Sequence, residues 1–90
     1  MAIGVIMNLS IEYCNVWNYL PRAASLASSI LKKYGTSVSA LKLIPSSGGV
    51  FEITLNGSLI FSKKQLGRFP KDEEIVTFIA VSYTHLRAHE

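Results

Sequence analysis

The sequence is poor in cysteine, since Cys14 is the only cysteine among 90 residues. A single cysteine excludes an internal disulfide and any zinc site built from several cysteines. It also favours a reducing compartment, so we expect a cytoplasmic protein. Long apolar runs are lacking as well, and no stretch approaches the roughly 20 residues that a membrane-spanning helix needs. We therefore expect no membrane partner.

Charged residues are scarce too, at 17% of the chain, whereas 49% of the residues are apolar. This balance is typical of a globular domain, and 90 residues suffice for one domain with a modest core. The net charge of +3 comes from basic residues that lie near acids or at a helix end. We interpret these residues as solvated charge, and we expect a monomer with no nucleic-acid partner. His85 and His89 lack a third ligand nearby and predict no metal site.

Apolar periodicity predicts a strand, a helix and a second strand in the first half of the chain. Residues 8–13 alternate between apolar and polar side chains, as a half-buried strand does. Residues 19–34 have an apolar stripe of helical spacing, with Asn18 as the expected N-cap and Pro21 in the first turn. Residues 38–44 form the second predicted strand. A helix between two neighbouring strands implies a parallel, right-handed crossover.

An Asn-Gly pair at positions 56–57 is a strong signal for a β-hairpin with a type I′ turn. It joins predicted strands at residues 51–55 and 58–62. In the register that a two-residue turn imposes, Leu59 and Phe61 lie on the face of the sheet away from the helices. These two residues are therefore either scattered surface side chains or a docking surface for a partner.

An acidic start predicts a final helix at residues 72–80. The order βαβββα then indicates an α/β (α+β) fold, a four-stranded mixed sheet of order second, first, third and fourth strand, with two helices on one face. Residues 81–90 resemble the translation of a sequencing adapter. We expect them to be a non-native tail, which leaves one domain at residues 1–80 with a core at about 8–80.

Several short segments resemble, in order and spacing, those of a known family. The segments are IEYC (11–14), NYLPRAA (18–24), SGGVFEI (47–53), LIFSKK (59–64) and GRFP (67–70). Each alone is weak, but as a set they are specific. The chain resembles the Rdx family of selenoprotein W/T/H-like proteins. The resemblance implies a thioredoxin-like fold and a thiol or selenol oxidoreductase.

The resemblance also assigns a redox pair to positions 14 and 17. The family has Cys-x-x-Cys or Cys-x-x-selenocysteine here, whereas this chain has Cys14 and Trp17. An indole cannot attack a mixed disulfide, so Cys14 is left as the attacking or resolving thiol. Selenocysteine is encoded by UGA, which an alternative genetic code reads as Trp. Trp17 is therefore either a genuine substitution or a misread selenocysteine codon.

The residues themselves permit simpler interpretations. A lone cysteine is most often a small buried side chain, and Trp17 can simply pack near the start of the helix. A strand-turn-helix setting instead places Cys14 in the turn, partly exposed, where the helix N-terminus favours a thiolate. Similarly, Ser47, Gly48 and Gly49 are either a flexible connector or a loop beside Cys14 that lets a partner's backbone approach closely.

Two functions remain open. The first is a thioredoxin-like redox protein that has no bound cofactor and reacts with protein thiols or glutathione. The second is a catalytically silent interaction module that keeps the fold. Rapid alkylation of Cys14 and a stable glutathione adduct would favour the first.

Overall fold

The structure, a computed structural model, describes residues 6–87 and the side chains of residues 6–82. Its elements follow the predicted order, with one additional short helix in the segment between the last strand and the last helix. In chain order they are β1 (Asn8–Cys14), α1 (Leu20–Tyr34), a 3-10 turn (Gly35–Ser37), β2 (Ala40–Ser46), β3 (Phe51–Leu55), β4 (Ser58–Ser62), α2 (Lys63–Leu66) and α3 (Asp72–Arg87).

The four strands form one mixed sheet of order β2-β1-β3-β4, as the sequence predicts. β1 is parallel to β2 and antiparallel to β3, and β4 is antiparallel to β3. The second strand begins and ends two residues later than predicted, because the 3-10 turn Gly35–Ser37 directly follows α1 and β2 begins only after it. β1 therefore lies in the centre of the sheet, with neighbours on both sides.

The core lies on one face of the sheet, where α1 and α3 both pack. α1 contributes Ala23, Leu26 and Ile30, and α3 contributes Ile75 and Ile79. The predicted apolar stripe of α1 is wrong in part, since Leu26 is buried whereas three residues assigned to the stripe are exposed. Those three are Leu20, Ala24 and Leu31. Within residues 6–87, no helix is long and apolar enough to cross a membrane.

α1 begins at Leu20, one residue later than an Asn18 N-cap requires. Tyr19 is the N-cap and makes no side-chain capping hydrogen bond. Asn18 instead adopts a left-handed conformation with φ of 59°, which asparagine tolerates better than most residues. A tight turn at residues 15–18 thus separates β1 from α1, and the prediction that Asn18 caps the helix is wrong.

The β3–β4 hairpin has the predicted turn. Asn56 and Gly57 both have positive φ, of 51° and 84°, as a type I′ turn requires. The Asn56 side chain also holds the start of the sheet, since its Oδ1 accepts from the Asn8 amide at 2.8 Å and its Nδ2 donates to the Ile6 carbonyl at 2.7 Å. The two residue pairs next to the turn have the predicted register.

Beyond those pairs the register departs from the prediction. An irregularity in the pairing puts Ile53 opposite Phe61, where a regular hairpin would put Ile60. An extra residue in one strand moves every later side chain to the other face. Phe61 therefore enters the core and is 5% exposed, whereas Leu59 is 49% exposed. The predicted outward position of Phe61 is wrong.

α3 continues to Arg87, beyond the predicted end at residue 80. Whether residues 81–90 are native stays a prediction, since a helical backbone does not test the origin of the sequence. His85 and His89 lie outside the residues whose side chains the structure describes.

Candidate functional site

Cys14 is the last residue of the central strand. Its amide donates to the Val50 carbonyl on the β3 side at 2.9 Å. The next amide, that of Asn15, donates to the Ser46 carbonyl at the end of β2, also at 2.9 Å. The backbone around the thiol is thus held from both neighbouring strands.

The connection between β2 and β3, residues 47–50, passes over the end of β1. It must do so because β1 lies between the two strands that this connection joins. The loop therefore lies beside Cys14, as the sequence indicates. Ser47 and Gly48 are exposed and Gly49 is buried. A role for these three residues in binding a partner stays a prediction.

Cys14 itself is fully buried, with 0% exposure. The prediction of a partly exposed thiol is wrong for this conformation. It placed Cys14 in the turn, whereas Cys14 ends the strand and the turn begins one residue later. Burial at this position follows from the topology, because the crossing loop at residues 47–50 and the turn at residues 15–18 both meet there.

Trp17 links that turn to that loop. The indole is 61% exposed, but one edge lies directly against Gly49. A Cβ placed on Gly49 would be 2.5 Å from Cζ3 of Trp17, which is closer than two carbon atoms can approach. Gly49 also has a φ of +70°, so both the backbone conformation and the contact require glycine at this position.

A row of aromatic rings leads from Trp17 to the core. The ring centroids of Trp17 and Tyr19 are 6.1 Å apart, and those of Tyr19 and Phe69 are 4.7 Å apart. Phe69 in turn lies 5.4 Å from the buried ring of Phe51. All three pairs are close to perpendicular, the edge-to-face geometry that aromatic rings favour. The row therefore couples the turn after Cys14 to β3.

Two cationic side chains lie on this row. Cζ of Arg22 is 4.2 Å from the centroid of Phe69, and Nζ of Lys63 is 5.3 Å from Phe69 and 5.6 Å from Tyr19. Sequence reasoning missed the group, since it treated Lys63 as solvated charge and Arg22 as an outward-facing residue of the helix. The available signal was that Arg22, Lys63 and Phe69 all fall within the segments that carry the family resemblance.

The outer face of the sheet does not form the apolar docking surface considered from the sequence. Phe61 is buried in the core, and Leu59 on β4 is separated from the exposed Ile44 on β2 by the two central strands. Polar residues lie near or between them on this face of the sheet, namely Ser10, Glu12, Lys42, Glu52 and Thr54. Leu59 is therefore an isolated apolar residue and not part of a continuous patch.

Metal-binding residues do not gather near the thiol. Within the described part of the chain, no group of three or more His, Cys, Asp or Glu side chains is placed to hold a metal ion. The chemistry of the site therefore has to be argued from Cys14 and from the residues that cover it.

Comparison with known proteins assigns this arrangement to a family. The model of the Rdx family matches residues 8–80, which include the turn, the crossing loop and the aromatic row. The chain belongs to the Rdx family. Its similarity to that family, stated above from short segments, is thereby confirmed.

Two curated Rdx relatives are similar in sequence. Migration and invasion enhancer 1 of Bos taurus is 30% identical over 73 residues, which are 81% of this chain and 62% of the relative. The protein of the same name from Mus musculus is 30% identical over 76 residues, which are 84% of this chain and 64% of the relative. The match thus spans less than two thirds of the length of both relatives.

Solved structures show the same architecture. A selenoprotein W-related protein from Vibrio cholerae superimposes with a TM-score of 0.77 at 32% identity, over 80% of this chain and 90% of that one. A Bordetella parapertussis protein superimposes with a TM-score of 0.82 at 28% identity, over 86% and 98%. The predicted thioredoxin-like fold, a four-stranded mixed sheet with helices packed on one face, is therefore confirmed.

Proposed function

We propose that this Rdx-family chain is a thiol redox protein in which Cys14 reacts with glutathione or with protein thiols. The observation that carries the proposal is the location of Cys14, at the end of the central strand, before the turn into α1 and beside the loop at residues 47–50. This is where an Rdx protein has the first residue of its redox pair. Trp17 occupies the second position, and a reducing compartment such as the cytoplasm suits a protein with one thiol.

With one thiol, the chemistry is an exchange with an existing disulfide. The Cys14 thiolate attacks one sulfur of glutathione disulfide, the S–S bond breaks, and one glutathione leaves as a thiolate that takes up a proton. The product is a mixed disulfide between Cys14 and glutathione. A thiolate of a protein client then attacks the glutathione sulfur of that mixed disulfide, so that the client becomes glutathionylated and Cys14 leaves as a thiolate that takes up a proton. Trp17 takes no part in the electron transfer.

Burial sets a condition on this reaction. A sulfur with 0% exposure cannot be attacked, so the turn at residues 15–18 or the loop at residues 47–50 has to move first. Trp17 contacts Gly49 from a largely exposed position, and opening at this place disrupts little of the core.

The experiment that tests the proposal restores the second thiol. Trp17→Cys is treated with a mild thiol oxidant, and an internal disulfide with Cys14 is detected as the loss of two hydrogen atoms in the mass of the intact protein. Val16→Cys is the control, because it puts a second thiol in the same turn at a different spacing. A folded Trp17→Cys variant that forms no such disulfide contradicts the proposal.

The identity of codon 17 decides which redox pair the native protein has. If resequencing finds UGA, the native pair is Cys-x-x-selenocysteine, and Cys14 resolves the intermediate formed on selenium. If it finds UGG, the protein is a monothiol that acts through mixed disulfides.

The complete burial of Cys14 favours a second candidate, a catalytically silent module that keeps the fold in order to bind a partner. The exposed Ser47 and Gly48, next to Gly49, and the isolated Leu59 are then the candidate contacts. The alkylation rate of native Cys14 separates the two functions. If Cys14 is alkylated no faster than the protein unfolds globally, the result supports the silent module. If Cys14 is alkylated faster than that, the result supports the redox protein.

A further inference from the structure

We propose that the surface formed by Tyr19, Arg22, Lys63 and Phe69, called here the cation–aromatic site, binds an acidic polypeptide segment of the redox client. The inference rests on the proposed function for its biological role, since it names the chemistry of the partner that approaches Cys14. The binding itself needs no reaction at the thiol.

The two cations at this site are available to a ligand. The guanidinium of Arg22 lies over the Phe69 ring at 4.2 Å, and stacking of this kind leaves the N–H groups at the edge of the guanidinium free. Among residues 6–82, neither Arg22 nor Lys63 forms an ion pair. Arg68 is different, because its two terminal nitrogens donate to Glu74 at 2.9 and 2.7 Å. A carboxylate of a ligand could therefore accept two hydrogen bonds from the Arg22 guanidinium, as Glu74 does from Arg68.

A cleft of about 320 Å³ adjoins the site. Its apolar walls include Leu26, Phe51, Phe69 and Pro70, so it can accept an apolar or aromatic side chain beside the carboxylate. The cleft is lined by one charge of each sign, Arg22 and Asp72.

Asp72 is already engaged within the protein. Its Oδ2 accepts from the hydroxyls of Ser25, at 3.1 Å, and Ser29, at 2.8 Å. The Asp72 carboxylate repels an acidic ligand, so the ligand's carboxylate would lie at Arg22.

The site is close to Trp17, in the turn that follows Cys14. Tyr19 lies between Trp17 and Phe69 in the aromatic row, with centroid distances of 6.1 and 4.7 Å. An extended chain advances about 3.3–3.6 Å per residue. A carboxylate on the cation–aromatic site would thus be roughly three to five residues from a client thiol held at the turn.

An acidic polypeptide fits better than a nucleic acid. Nucleic-acid surfaces carry a stripe of cations along the phosphate backbone. Here Arg22 lines an apolar cleft and Lys63 lies over the Phe69 ring that forms part of its wall, which suits one or two carboxylates accompanied by an apolar side chain.

The test uses Cys14→Ser protein and a dye-labelled, cysteine-free peptide of alternating glutamate and phenylalanine, with binding followed by fluorescence anisotropy. A peptide with glutamine in place of glutamate is the ligand control. We expect the glutamate peptide to bind more tightly, and Arg22→Gln and Lys63→Gln each to weaken it by roughly three- to tenfold. Lys42→Gln is the matched protein control, because it removes the same charge from an exposed position on β2 and should change nothing.

Three results would overturn the proposal: equal binding of the two peptides, an equal loss with Lys42→Gln, or tighter binding of a single-stranded oligonucleotide at the same residues. Arg22→Lys is the second variant. It should bind the glutamate peptide more tightly than Arg22→Gln but less tightly than the protein with Arg22, because lysine lacks the planar guanidinium that donates two parallel hydrogen bonds. Glutathione exchange of wild-type Cys14 is measured separately. Peptide binding with an inert Cys14 refutes the redox function alone, whereas a reactive Cys14 without peptide binding refutes this inference alone.

Discussion

At the scale of single residues, access to Cys14 depends on the contact between Trp17 and Gly49. Cys14 is fully buried beneath the meeting point of a turn and a loop, and the indole of Trp17 lies against the loop at Gly49. Trp17, at the position where the family resemblance puts the second member of a redox pair, thus contacts the loop beside the thiol. We therefore expect a change at position 17 to alter access to Cys14.

Trp17→Ala should make Cys14 more reactive. Loss of the indole removes its contact with Gly49, so the loop and the turn open more easily, and we expect alkylation of Cys14 to be about tenfold faster. The rate is measured with a maleimide at neutral pH. Val16→Ala is the control, since Val16 is 75% exposed in the same turn. An unchanged rate in Trp17→Ala would show that other residues keep the thiol closed.

Gly49→Ala should destabilise the protein more than Gly48→Ala. Both glycines have positive φ, so each substitution costs about 1–2 kcal/mol in backbone strain. Only at Gly49 does the new Cβ also meet Trp17, at 2.5 Å, which adds about 1–3 kcal/mol of overpacking. Urea unfolding measures both. In a Trp17→Ala background the difference between the two variants should disappear, and its persistence would argue against the Trp17 contact as the cause.

At the scale of an element, the bulge in the β3–β4 hairpin decides which side chains β4 gives to the core. Phe61 is buried opposite Ile53, and Leu59 is exposed. A regular hairpin would have placed both on the outer face, as the sequence-based register did. The consequence is that β4 completes the core instead of presenting an apolar surface.

Phe61→Ala should therefore cost about 3–5 kcal/mol of the free energy of unfolding, as for other buried phenylalanines. Leu59→Ala, on the same strand, should cost less than about 1 kcal/mol, because Leu59 is half exposed. Denaturant unfolding of the two variants provides the comparison. Similar losses for both would mean that the hairpin has the regular register.

The segment between α2 and α3 is held by an ion pair that should respond to acid. Hydrogen bonds from Arg68 lower the pKa of Glu74 from 4.5 to about 2, and the amide of Lys71 adds a further hydrogen bond. A carboxyl with a lowered pKa in the folded state stabilises that state above its unfolded pKa, and this contribution is lost as pH falls from about 4.5 to about 2.

Glu74→Gln should remove this part of the pH dependence. The unfolding midpoint of the wild type should fall more steeply between pH 4.5 and pH 2 than that of the variant. The difference is expected to be small, since both partners are exposed and screened by solvent. The chemical shift of the Glu74 carboxyl, followed by NMR, reports the pKa directly, and a value near 4.5 would contradict the prediction.

At the scale of the whole molecule, the described core ends before the chain does. Ile79 is the last residue of α3 in the buried cluster, Val81 is 65% exposed, and the match to the family ends at residue 80. Ile79 is thus the last buried residue among the side chains that the structure describes, and the domain boundary at residue 80 stays a prediction, as does the origin of residues 81–90.

A variant that lacks residues 81–90 should keep its cooperative fold. We expect the free energy of unfolding to change by less than about 1 kcal/mol, because the family match ends at residue 80 and Val81 is exposed. Thermal unfolding by circular dichroism checks this. Loss of a cooperative transition would place the tail within the folding domain.

The sequence by itself determined the order of the strands and the family. The Asn-Gly turn at residues 56–57 and the helix between the first two strands are local signals, and short-range rules convert them into an antiparallel hairpin and a parallel crossover. The segments that carry the family resemblance are equally local. The hairpin does not depend on contacts between distant parts of the chain, whereas the pairing of β1 with β3, which completes the strand order, does.

Only the tertiary structure decided the burial of Cys14, the position of Phe61 and the grouping of Arg22 with Phe69. Cys14 is closed off by a loop more than thirty residues away, and Arg22 meets an aromatic ring from the opposite half of the chain. Phe61 lies in the core because an extra residue in β4 places its ring on the inner face of the sheet, opposite Ile53. Each outcome depends on packing between distant residues, and in a close-packed interior such packing overrides the local pattern.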